Sequence, residues 1–188
     1  MGDEIPPYAI LSHAWGKDEV EFQDISKTPE QLAGLAGFSK IQNCCYQAAA
    51  AGLQYAWIDT CCINSDSSAE LSEAINSMYE WYRAAEVCYA YMSDVGSGGT
   101  GFSDSRWFTR GWTLQELLAP EKMIFFDREW NRIGSKIDLR QSLIAAAGIQ
   151  DKHLDYPEVR IFLFISVQIP MRGESSKAEC CQTFNPYK

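Results

Sequence analysis

A chain of 188 residues with 46% hydrophobic and 13% aromatic side chains fits one domain with a buried core, and excludes a disordered chain. Its net charge of −9, with no stripe of lysine or arginine, excludes general nucleic-acid binding, which depends on neutralising phosphates. No apolar run reaches the roughly 18 residues of a membrane helix, and the start Met1-Gly2-Asp3-Glu4 lacks a secretory signal, so a cytoplasmic chain with no membrane partner is expected.

Residues 8–12 read as a short buried strand between Pro6-Pro7 and the turn His13-Ala-Trp-Gly16. Thr28-Pro29-Glu30-Gln31 reads as a helix start, with Thr28 as cap and Gln31 three residues on. A better helix covers residues 39–51 and stops at Gly52. Residues 53–59 are the second strand. Residues 69–85 form a helix whose apolar stripe is Leu71, Ile75, Met78, Tyr79 and Tyr82, with Ile75 and Met78 expected against the sheet. Residues 87–92 are the third strand, 96–101 a glycine loop, 107–118 a helix ending at Pro120, 122–126 the fourth strand, and 135–147 a last helix before Gly148. Strands alternating with helices predict an α/β fold, a mostly parallel sheet with helices on both faces.

Sheets of that kind bind ligands beyond the carboxyl ends of their strands. Those ends carry Ser12, His13, Ala14 and Trp15, then Asp59 and Thr60, Ser93 and Asp94, and Asp127. Gly96-x-Gly98-x-x-Gly101 matches the dinucleotide fingerprint in letters, but Phe102-Ser-Asp-Ser opens no obvious helix, so it reads as a loop. Six of seven cysteines are adjacent pairs, Cys44-Cys45, Cys61-Cys62 and Cys180-Cys181, which is not zinc spacing; buried reduced thiols and no metal are expected.

Three ordered motifs carry a family likeness. Tyr8-Ala-Ile-Leu-Ser-His-Ala-Trp-Gly16 resembles the opening motif of fungal heterokaryon-incompatibility (HET) domains. Tyr55-Ala-Trp-Ile-Asp-Thr-Cys-Cys-Ile-Asn64, with Glu70 and the helix from Ile75 to Tyr82, resembles their central motif. Arg106-Trp-Phe-Thr-Arg110-Gly-Trp112-Thr-Leu-Gln-Glu116-Leu-Leu-Ala-Pro120 resembles their third. HET domains are in turn similar, more remotely, to TIR domains, which have a flavodoxin-like parallel sheet and in many members cleave NAD. The likeness implies a HET domain over residues 1–150 and a divergent or truncated tail over 151–188. It also implies a role in self/non-self recognition that ends in cell death. Glu116, four residues after Trp112, falls where NAD-cleaving TIR domains keep their catalytic glutamate.

Cleaving the nicotinamide–ribose bond releases a neutral leaving group from a cation, so the transition state needs negative charge beside an oxocarbenium-like ribose rather than an acid. Glu116 meets that need. Ser12, His13, Asp59 and Trp15 line the same strand ends, Arg106 and Arg110 suit phosphates, and Trp15, Trp112 or Tyr91 suits a stacked ring. Each also has a structural reading: Glu116 as a solvated helix position, Asp59 as a loop cap, His13 as a hydrogen-bonded structural histidine. Arg106 and Arg110 can instead pair with acids such as Asp104, and Trp57, Trp81 and Trp107 read as core. No cofactor is expected, with NAD entering as a substrate. The alternative to an enzyme is a signalling module that works through protein partners or self-association.

Overall fold

The computed structural model describes residues 5–155 and 181–182. Four parallel strands form the centre: β1 (Tyr8–His13), β2 (Tyr55–Trp57), β3 (Val87–Tyr91) and β4 (Met123–Phe126). Two antiparallel strands close the edges, β5 (Arg132–Ser135) on β4 and β6 (Cys181–Gln182) on β2, giving the order β5-β4-β3-β1-β2-β6. The core order β2-β1-β3-β4 is flavodoxin-like. The chain leaves β1 towards β2 and then crosses back to β3, so the switch point lies between β1 and β3.

Alternation along the strands divides the core in two, because successive side chains of a strand point to opposite faces. Tyr8, Ile10, Trp57, Cys88, Ala90 and Phe125 lie on one face. There they meet Tyr82 of α4 (Ser68–Ala84), Leu117 and Leu118 of α5 (Thr113–Leu118), and Leu143 of α6 (Arg140–Ala147). Ala9, Leu11, Ala56, Tyr89 and Phe126 lie on the other, against Leu32 of α1 (Pro29–Leu32) and Phe38, Cys44, Cys45 and Ala48 of α2 (Phe38–Ala50). The expected α/β sheet with helices on both faces is what the chain forms. Gln31 accepts from the Thr28 backbone N–H at 2.8 Å, as the start of α1 requires.

Several boundaries differ from expectation. The second strand ends at Trp57, Ile58 is the cap, and Asp59 opens the short helix α3 (Asp59–Cys62). Residues 107–118 are not one helix: a 3-10 turn covers Arg106–Thr109, Arg110 is extended, and α5 starts at Thr113. Residues 132–135 form β5, so the last long helix begins at Arg140 rather than Ser135. The stripe on α4 is buried only in its second half. Tyr82 is fully enclosed and Met78 and Tyr79 pack against the core, but Leu71 is exposed and Ile75 is 39% exposed, which corrects the expectation for Ile75. The helix has 17 residues and β2 three. Within the tail, the described parts are α7 (Lys152–Asp155) and β6.

Candidate functional site

The site is assembled from three chain segments. Asp94, just beyond β3, accepts from the Ser105 hydroxyl at 2.6 Å and from the Arg106 backbone N–H at 2.7 Å. Ser105 in turn accepts from the Trp107 N–H at 3.2 Å and caps the 3-10 turn. That fixes Trp107, fully buried and edge-on to Phe125 at 5.8 Å, with its indole N–H aimed at the end of β1. A buried indole needs an acceptor, and Trp107 Nε1 finds it in Ser12 Oγ at 2.8 Å.

Ser12 passes the bond on. Its hydroxyl donates to Glu116 Oε2 at 2.5 Å. Arg110 holds the same carboxylate with both prongs of its fork, Nη1 to Oε2 at 2.8 Å and Nη2 to Oε1 at 2.9 Å. Glu116 is 3% exposed, a burial that a carboxylate tolerates only when paired and hydrogen-bonded. The break at Arg110 is what allows this pairing: an extended residue lets the guanidinium fold back onto α5 six residues later.

A second acid lies beside the first. Asp59 accepts from Trp15 Nε1 at 2.8 Å and from the Thr60 backbone N–H at 2.8 Å. Among the described residues no cation pairs with it: His13 Nδ1 is 3.8 Å away, beyond hydrogen-bond reach, and neither buried His13 ring nitrogen has a hydrogen-bond partner. Burial, aided by the charge of Glu116, pushes the Asp59 carboxyl up to about 7, against the lowering effects of Trp15 and Arg110. Burial, with the positive charges of Lys40 and Arg110, holds His13 well below the usual histidine range. The His13–Asp59 contact is therefore between largely neutral groups near pH 6, not an ion pair.

The loop after β1 is pinned from behind. Glu19 accepts from the Gly16 N–H at 2.6 Å and is paired with the buried ammonium of Lys40, which also donates to the Ala14 carbonyl at 3.2 Å. Gly37 sits so close that a Cβ there would lie 2.7 Å from the Glu19 Cα, so only glycine admits the approach.

Of the residues singled out in the sequence, Ser12, Arg110 and Glu116 share one hydrogen-bonded cluster, and Trp15, His13 and Asp59 form its neighbour. Arg106 reaches across to the Trp15 carbonyl at 2.8 Å. Trp15 and Trp112 are 58% and 44% exposed. Tyr91 is committed elsewhere, stacked on Trp130 at 4.8 Å, and Asp127 closes its own turn through the N–H groups of Glu129 and Asn131. Glu116 is neither a solvated helix position nor a wall of an open cleft. A cavity of about 600 Å³ lies elsewhere, between α1 and α2, lined by Pro29, Leu35, Phe38 and Gln42. The glycine loop folds into a tight turn, Gly96 N–H to Thr100 carbonyl at 2.9 Å, followed by a 3-10 turn rather than a phosphate-binding helix. Residues missed were Trp107, assigned to core alone, and the Lys40–Glu19 pair; only the indole N–H of Trp107 gave a hint. Burial pushes the thiols of Cys44 and Cys88 up, away from reactive thiolate. Among the described residues no His, Cys, Asp and Glu converge as a metal-ligand group, and no helix is long and apolar enough to cross a membrane.

The family model described as "Heterokaryon incompatibility protein (HET)" matches residues 8–103. The chain is 45% identical over 156 residues to the vegetative incompatibility protein HET-E-1 of Podospora anserina, a match covering 78% of this chain and 12% of that protein. No solved structure matches.

Proposed function

We propose that this chain, which belongs to the heterokaryon incompatibility (HET) family, serves vegetative incompatibility as the module that triggers cell death when unlike hyphae fuse, and does so by hydrolysing NAD. The relative is a vegetative incompatibility protein, of which the chain spans about one eighth. The observation that supports the chemistry is the Glu116 carboxylate, held by the Ser12 hydroxyl at the end of β1, where the chain switches between β2 and β3.

In this reading the C1′–N bond of the nicotinamide riboside breaks, nicotinamide leaves with the bonding pair as a neutral molecule, and C1′ becomes oxocarbenium-like. The Glu116 carboxylate stabilises that positive charge, water adds to C1′, and its proton passes to solvent. Exposed Trp15 or Trp112 stacks the leaving ring, and Arg106 takes a phosphate. The test is nicotinamide release by the folded chain. Glu116→Gln is expected to keep the circular dichroism spectrum and to lower release about a hundredfold, roughly 3 kcal/mol of lost transition-state stabilisation. Equal release by both proteins removes Glu116 from the reaction.

The other reading is a signalling module acting through partners or self-association. It is favoured by the exposed apolar start of α4, Leu71 and Ile75, and by a carboxylate already closed over by Arg110. Concentrated, folded wild type that releases no nicotinamide, alone or assembled, supports it.

A further inference from the structure

We infer that Arg110 is a phosphate receptor whose resting occupant is Glu116, so that a pyrophosphate-bearing ligand and the Glu116 carboxylate exchange on one guanidinium. This deepens the proposed reading, and rests on it for the identity of the ligand. The exchange is argued from who lies outermost. The Arg110 side chain is 20% exposed and the Glu116 side chain 4%, so solvent and ligand meet the guanidinium first and the acid stays behind it.

A guanidinium fork presents two parallel N–H groups, and phosphate oxygens accept them in the same geometry as a carboxylate. Arg110 therefore keeps its bond count by turning to a phosphate, while Glu116 gives up both guanidinium bonds, keeps the one from Ser12 and takes the hydroxyls of the ribose in place of the two it loses. A second fork stands four residues back: Arg106 is exposed and held by the Trp15 carbonyl rather than by a carboxylate, so it adds positive charge for a diphosphate. Gly111, next to Arg110, has open space where a Cβ would stand. The consequence is an acid that stays masked until the phosphates of its substrate unmask it.

The test is titration calorimetry of inorganic pyrophosphate, and separately of ADP, into wild type, Glu116→Gln and the double variant Arg110→Ala/Glu116→Gln. Circular dichroism confirms that each is folded. Glu116→Gln removes the competing charge, so it is expected to bind pyrophosphate about tenfold more tightly than wild type. The double variant is expected to lose that gain. Binding by Glu116→Gln no tighter than wild type overturns the inference, as does a double variant that binds as tightly as Glu116→Gln. The outcome is separable from nicotinamide release. Tighter pyrophosphate binding with no release by wild type leaves the receptor standing and removes the hydrolase, whereas release without the affinity gain does the reverse.

Discussion

Glu116 and Asp59 are two acids at neighbouring strand ends, and the protein treats them in opposite ways. Glu116 is the more buried, yet it has a cation gripping both oxygens and a hydroxyl donating to one of them. Asp59 has an indole, a backbone N–H and a histidine, with no paired cation among the described residues, and is pushed up to about 7. Charge compensation, more than depth, sets the two acids apart. The strand ends thus carry one acid paired with a guanidinium and, beside it, one that changes protonation near neutral pH.

The largest effect is expected from breaking the compensated side. Arg110→Ala leaves Glu116 buried and unpaired and should cost about 3 kcal/mol in a urea titration. The double variant with Glu116→Gln should recover more than half, because no stranded charge remains. A cost below about 1 kcal/mol would mean that Glu116 moves out to water when its partner is lost.

The uncompensated side predicts a pH signature. Folded Asp59 keeps its proton up to about pH 7, whereas its ordinary value is 3.8. Between those values the folded chain binds more protons than the unfolded one, so this group makes stability fall as pH rises. His13, held neutral below its ordinary 6.5, acts the other way: the unfolded chain binds its proton first, and stability falls as pH drops through that range. The two slopes oppose one another. Asp59→Asn should leave stability that rises with pH up to about 6.5, and should stabilise the fold at pH 8 by about 2 kcal/mol. His13→Asn should leave stability that falls towards pH 7. Parallel pH profiles for the two variants would refute the assignment.

The smallest effect belongs to α4 and concerns packing alone. Ile75→Ala should cost below about 1 kcal/mol, since the side chain is 39% exposed, whereas Met78→Ala, against the core, should cost about 2 kcal/mol. Equal costs measured in denaturant would place Ile75 in a contact that the isolated chain buries.

Much of the architecture was written in local pattern. Continuous apolar runs at Tyr8, Val87 and Met123, separated by helical spacing, are enough for a parallel sheet, because a strand buried on both faces must be apolar throughout. Chain order also placed Ser12 and Asp59 near the carboxyl ends of that sheet, since every parallel strand ends on the same side, whereas Glu116 was singled out by the family resemblance. What local pattern does not carry is pairing across distance. That Trp107 donates to Ser12, 95 residues away, that Arg110 rather than solvent faces Glu116, and that Lys40 holds the loop bearing Trp15 are decisions of tertiary packing. The same holds for Ile75, whose spacing matches a buried stripe although the side chain is 39% exposed. Periodicity fixes which way a side chain points relative to its own helix or strand. Only the assembled neighbours determine whether it meets apolar core, an opposite charge or water, and that choice sets the charge and reach of each acid at the strand ends.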